Sequence, residues 1–107
     1  MTTFDNRKDA AEKKFAHDAE LQFKASARRN KLLGLWAAGQ LGLSGAEADA
    51  YAKTVVMSDF EEAGDDDVYR KVAKDLAAGK VEISEHVLRR TMDELMAKAI
   101  EQIQAGT

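Results

Sequence analysis

The chain has 107 residues, 33% of them charged and 45% apolar, a net charge of −3, and neither Cys nor Pro. That length suits one domain with a modest core, and the missing Cys excludes disulfides, thiol catalysis and thiolate metal sites. The start MTTFDNRK lacks the apolar run of a signal peptide and no stretch has the length of a membrane span, so a cytoplasmic protein is the expectation.

The first predicted element is a stretch free of Pro and Gly from Phe4 to Leu33, in which Ala11, Phe15, Ala19, Phe23 and Ala27 recur at every fourth position, the spacing of one helix face. Its character changes midway. Up to about His17 it is almost entirely charged or small, whereas Leu21, Phe23, Leu32, Leu33, Leu35 and Trp36 make the second half fit to join a core. Short helices without tertiary support are marginal in water. Residues 1–18 are therefore expected to form a mobile, helix-competent arm meant for another protein's surface, and residues 19–107 a bundle. Residues 1–31 carry eight Lys/Arg against five acids, which leaves +3 in a chain of net −3. Acids interleave with bases at helical spacing, as in Asp9–Lys13 and Glu20–Lys24, so the pattern reads as a solvated helix and not as a nucleic-acid arm.

Gly39 and Gly42 break this element. Ser44-Gly45-Ala46-Glu47 then has the form of a capping box, predicting a second helix to about Glu62 with a buried stripe of Ala48, Tyr51, Ala52, Val55, Val56 and Phe60, and Gly64 as its stop. Asp65, Asp66 and Asp67 open a third helix, residues 66–78, with Val68, Val72, Leu76 and Tyr69 inward. Gly79 ends it. After an extended link through Val81 and Ile83, Ser84 is the N-cap of a fourth helix carrying Val87, Leu88, Met92, Leu95, Met96, Ala99, Ile100 and Ile103. Amphipathic helices joined by short links predict an all-α fold, an antiparallel four-helix bundle.

Catalytic chemistry finds little support. His17 and His86 lie far apart on charged faces, Asp65–Asp67 lacks the ligand spacing of a calcium loop and reads as an acidic helix start, and pairs such as Glu61–Glu62 belong to solvated faces. There is no P-loop, glycine fingerprint or nucleophile motif. No enzyme, no metal site and no required cofactor are expected. Trp36 is assigned to the core. Arg28-Arg29-Asn30-Lys31 reads as a compact basic turn, and antiparallel packing of the first and fourth helices would bring it near Arg89 and Arg90. Such a notch would suit a phosphate; the alternative is ordinary solvated pairing with Glu94, Asp93 or Glu20.

The runs TFDNR, KFAHDAELQFKA, ARRNKLLGLWAA, GLSGAEADAYAKTVV, DFEEAGDDDV and ISEHVLRRTMDEL together resemble the zeta subunit family of alphaproteobacterial F-type ATP synthases, over essentially the whole chain. The resemblance implies a four-helix bundle that inhibits ATP hydrolysis by the catalytic head (the alpha, beta and gamma subunits) through its N-terminal segment, with ADP or ATP bound on the bundle as a regulatory ligand. It also implies a location peripheral to the inner membrane, on the cytoplasmic side. Carried over by position, the family's opening matches Phe4, Asp5 and Arg7, and its K-F-A-H-D matches Lys14, Phe15, Ala16, His17 and Asp18. Phe4 and Phe15 are read as apolar anchors of the arm, with Arg7, Lys13 and Lys14 pairing with acidic rims. Ala11 stands where the family usually has an aromatic ring, which removes one anchor. Arg28, Arg29, Lys31, Arg89 and Arg90 are the residues assigned to the nucleotide. A second reading keeps a small nucleotide-sensing protein that acts through its bundle instead of its arm.

Overall fold

The structure, a computed structural model, describes the backbone of residues 3–59 and 65–106 and the side chains of residues 19–59 and 65–106. Four helices account for it: α1, Thr3–Gln40; α2, Gly45–Ser58; α3, Asp66–Ala78; and α4, Glu85–Gln104. No strand occurs among the described residues. The expected all-α bundle is the observed one. Expectations about arm side chains, Phe60, Glu61, Glu62 and Gly64 lie outside the described residues.

Local chemistry accounts for most helix ends. Gly42 takes φ +79, its N–H bonds to Gly39 O, and the Leu43 N–H reaches back to Ala38 O at 2.8 Å. This is the paired hydrogen-bond pattern by which a left-handed residue closes a helix. The same pattern ends α3, where Lys80 and Val81 donate to Ala77 O and Leu76 O. There the left-handed position, φ 62, belongs to Lys80, one residue beyond the expected stop at Gly79. Ser84 caps α4 as expected, its side chain accepting from the Val87 N–H. Ser44 does not cap α2 in that way: its backbone is extended, but its side chain makes no cap hydrogen bond, so the capping-box expectation fails and Gly45, at φ +56, makes the turn. α2 ends at Ser58, short of the expected Glu62.

The chain runs up, down, up and down. Gly34 faces Ala52 and Asn30 meets Asp59, so α2 is antiparallel to α1. Arg29 meets Asp65 and Leu41 lies against Gly79, so α3 runs parallel to α1. Arg28 reaches Gln102 near the end of α4, which returns antiparallel. Leu33, Ala37, Val55, Val68, Val72, Leu76, Leu88 and Met92 form the core, with Trp36 and Tyr51 packed against it and partly exposed. Removing these apolar surfaces from water is the main favourable term of the fold. Tyr51 adds a polar tie from α2 to α3, its hydroxyl donating to Asp75 Oδ2 at 2.9 Å beside the Lys71–Asp75 pair. Burial, and then the neighbouring Asp75 carboxylate, push the Tyr51 phenol well above its usual range. α1 and α2 lie close together at Gly34: a Cβ built there would lie 2.5 Å from Ala52 Cα, so only glycine allows this approach.

Two assignments within α1 are corrected. Phe23, expected to join the core, is 70% exposed, because the helix turns that face away from α3. Arg28 to Lys31 form no basic turn; they occupy one turn of continuous helix, and successive helical residues diverge by about 100°, so each points at a different neighbour. On α4, Val87 is likewise exposed and not part of the buried stripe.

Candidate functional site

Arg29 and Asn30 are each 1% exposed, the most buried polar side chains described. A guanidinium at that depth needs its charge compensated and its donors used. Both conditions are met. Its two terminal nitrogens donate to the Asp65 carboxylate at 2.9 and 3.3 Å, a fork that suits a planar guanidinium. Its Nε donates to Asn30 Oδ1 at 2.7 Å, and Asn30 Nδ2 in turn donates to Asp59 Oδ2 at 2.9 Å. No buried side-chain polar atom is left without a partner among the described residues.

The network joins the last residue before the α2–α3 connection, Asp59, to the first described residue after it, Asp65, through adjacent side chains of α1. The two carboxylates titrate in opposite directions. Hydrogen bonding from Arg29, reinforced by the charges of Arg29 and Arg89, holds Asp65 below the usual carboxylate range despite its partial burial. Burial pushes Asp59 up, and the nearby Asp67 and Asp65 add to this against the hydrogen bond from Asn30 and the charge of Arg29.

The residues assigned to a nucleotide do not line one common pocket. Arg89 donates to Asp66 Oδ1 at 3.0 Å and lies 4.0 Å above the centroid of the Tyr69 ring, so it is held by charge and by the ring face together. Arg29 and Arg89 thus approach each other through adjacent acids, one on Asp65 and the other on Asp66. Arg90 faces water and pairs with Glu94 at 3.8 Å, one turn along its own helix. Arg28 crosses to Gln102 of α4 at 2.9 Å. Lys31 is exposed and borders a cavity of about 580 Å³ with Asp49, Ala52, Lys53, Val56 and Met57 of α2. His86 is exposed.

Sequence reasoning missed Asn30, Asp59 and Asp65 as partners of the basic run. It read Asp65–Asp67 as a helix start and sought the countercharge of the basic run in Glu94, Asp93 or Glu20; the signal available was three consecutive acids in the same small domain as the Arg pair. Phe4, Asp5, Arg7, Lys13, Lys14 and Phe15 lie outside the residues whose side chains are described. No described helix is long and apolar enough to cross a membrane.

A chain of 52% sequence identity has been solved by solution NMR. The likeness covers 81% of this chain and 99% of that one, with a TM-score of 0.72. No curated protein matches. The model of the family described as ATPase inhibitor subunit zeta matches residues 1–102, a span that takes in the N-terminal segment, α1 to α3 and all but the last two residues of α4, and the chain therefore belongs to the ATPase inhibitor subunit zeta family.

Proposed function

We propose that this protein inhibits ATP hydrolysis by inserting its N-terminal segment, residues 1–18, at a subunit interface of the synthase's catalytic head, while residues 19–107 form the folded bundle. The observation that carries the reading is the mismatch in helix length. α1 spans 38 residues, whereas α2, α3 and α4 have 14, 13 and 20. At about 1.5 Å per residue, α1 outruns the longest of its neighbours by roughly 27 Å. Among the described residues the first buried apolar side chain of α1 is Ala25. A helix that outruns its own bundle by that length is suited to a groove on another protein, with apolar anchors at helical spacing.

The direct test adds the full chain, and a chain lacking residues 1–18, to the purified catalytic head and follows ATP hydrolysis. Inhibition by the full chain and its loss on truncation, with the bundle's thermal unfolding retained, is the expected result. Equal inhibition by both would move the function to the bundle.

The nucleotide reading is part of the same proposal. Arg28, Arg29, Lys31, Arg89 and Arg90 would hold the phosphates of ADP or ATP by charge. Arg29 and Arg89 are engaged by Asp65 and Asp66, so a phosphate must compete with these carboxylates, which makes binding weak and sensitive to salt. Titration with ADP is expected to move backbone amides near residues 28–31 and 86–92. Unmoved amides at millimolar ADP would remove the site and leave the inhibitor reading intact.

A further inference from the structure

α1 packs against each of the other helices, while no Cα of α2 comes within 8 Å of one in α4. Along the face of α1 that lies between them runs an open channel. Its floor is Phe23 and Ala27, with Lys31 at its edge, Val56 of α2 on one side and Ile103 of α4 on the other. It continues at one end into the cavity beside Lys53 and Met57, and at the other into a smaller one beside Leu21. Phe23, Ala27 and Lys31 recur every four residues and so form one stripe of α1. Ala25, Arg29 and Leu33, two residues further on in each case, are buried on the far side. Phe23 and Met57 are 70% and 68% exposed, the two most exposed large apolar side chains described.

The rim is basic. Lys24, Arg28, Lys31 and Lys53 border the channel against Glu20 and Asp49. Glu20 is held by Lys24 at 2.9 Å in an exposed pair.

We infer that this channel is a second docking site, filled by an acidic amphipathic helix of the catalytic head. The inference rests on the inhibitor reading above and adds to it a contact made by the bundle. Three features select that occupant. The uncovered stripe of α1, flanked by Val56 and Ile103, runs along the helix axis and can seat one helix lying along it. From Glu20 to Lys31 the channel follows α1 for about 17 Å, or three turns of such a helix. An apolar floor with a basic rim suits a helix with apolar anchors at i, i+4 and i+7 and acids on its flanks. A second copy of this chain would set the same basic rim against itself in a two-fold contact. The channel also begins within a few residues of the arm, so a head that holds the arm is beside it, and two linked contacts raise affinity beyond either alone.

The experiment measures binding of the full chain to the purified catalytic head by biolayer interferometry at low and high salt, for wild type, Phe23→Ser/Met57→Ser and Lys31→Glu/Lys53→Glu. Sedimentation velocity and thermal melts of the free proteins accompany it. Expected are a Kd raised about tenfold or more by the apolar pair, in line with centrally buried anchors, and by the charge pair a weaker affinity with a smaller dependence on salt. Wild-type binding with both variants unchanged overturns the channel and leaves the inhibitor reading standing; no binding by wild type overturns both. A wild-type dimer that the apolar pair dissociates assigns the channel to a second copy. A large fall in melting temperature for the apolar pair means that the chain covers the channel itself. Either result refutes the inference.

Discussion

The tight contact of α1 with α2 at Gly34 offers a test in which one chemical change should act with opposite signs at two glycines. In helix interiors, Gly→Ala gains about 1 kcal/mol from backbone entropy. At Gly39 nothing lies within 4 Å of the added Cβ, so Gly39→Ala should keep much of that gain and raise the melting temperature by a few degrees. At Gly34 the Cβ would lie 2.5 Å from Ala52 Cα, 2.9 Å from its Cβ and 3.2 Å from its carbonyl oxygen. Ordinary carbon contacts are about 3.5–4.0 Å. Backbone and a methyl group have no alternative rotamer, so α1 and α2 must separate. Overpacking of that kind costs about 1–3 kcal/mol, which offsets the propensity gain and leaves Gly34→Ala destabilised by about 1 kcal/mol, somewhat more if the helices resist. For a domain of this size each kcal/mol moves the midpoint by about 4–8 °C. Thermal unfolding followed by far-UV circular dichroism, on wild type and the two variants, reads this directly. If Gly34→Ala raised the midpoint as Gly39→Ala should, the close helix contact, and the packing argument built on it, would be refuted.

Replacing Asp65 by Ala leaves the buried Arg29 guanidinium without its carboxylate and is expected to cost about 2–3 kcal/mol in urea unfolding, toward the low end for a broken ion pair because Asp65 itself is half exposed. The pair's pH dependence has a definite sign. The folded Asp65 pKa lies below its unfolded value, so its contribution is complete above about pH 4 and is lost as pH falls through the folded pKa. Asp59 is raised, so its ionisation opposes folding above its folded pKa, and Asp59→Asn, which keeps an acceptor for Asn30, should stabilise the protein at pH 7 and lose that advantage in acid. Lys80→Gly relieves a non-glycine residue at φ 62 and should add about 1 kcal/mol to the unfolding free energy; no gain in a denaturant titration would mean that the Lys80 side chain contributes there. Phe15→Ala is expected to raise the concentration needed for half-inhibition of ATP hydrolysis by about tenfold or more while the thermal midpoint stays within a degree or two of wild type. An unchanged inhibition curve would count against an apolar anchor at Phe15.

The sequence by itself determined the helix count, the place of most boundaries and the inward stripe of α3, because these follow from local chemistry. Asp65–Asp67 and Gly79 bracket α3 at residues 66–78 as expected. Gly42 supplies a left-handed stop and Ser84 an accepting hydroxyl, and Val68, Val72 and Leu76 recur with the helical period and are buried. The family was legible as well, in runs spread along the whole chain. What the tertiary structure decided is which way α1 faces over its central turns. Residue type alone would bury Phe23 and expose Arg29, and the fold does the reverse. Arg29 points toward α3, whose opening acids supply its countercharge, while Phe23 lies on the stripe that α2 and α4 leave uncovered. The burial of a helical residue depends on what packs against its face, and that is settled by contacts with residues 36 positions away, as between Arg29 and Asp65, beyond the reach of any local pattern.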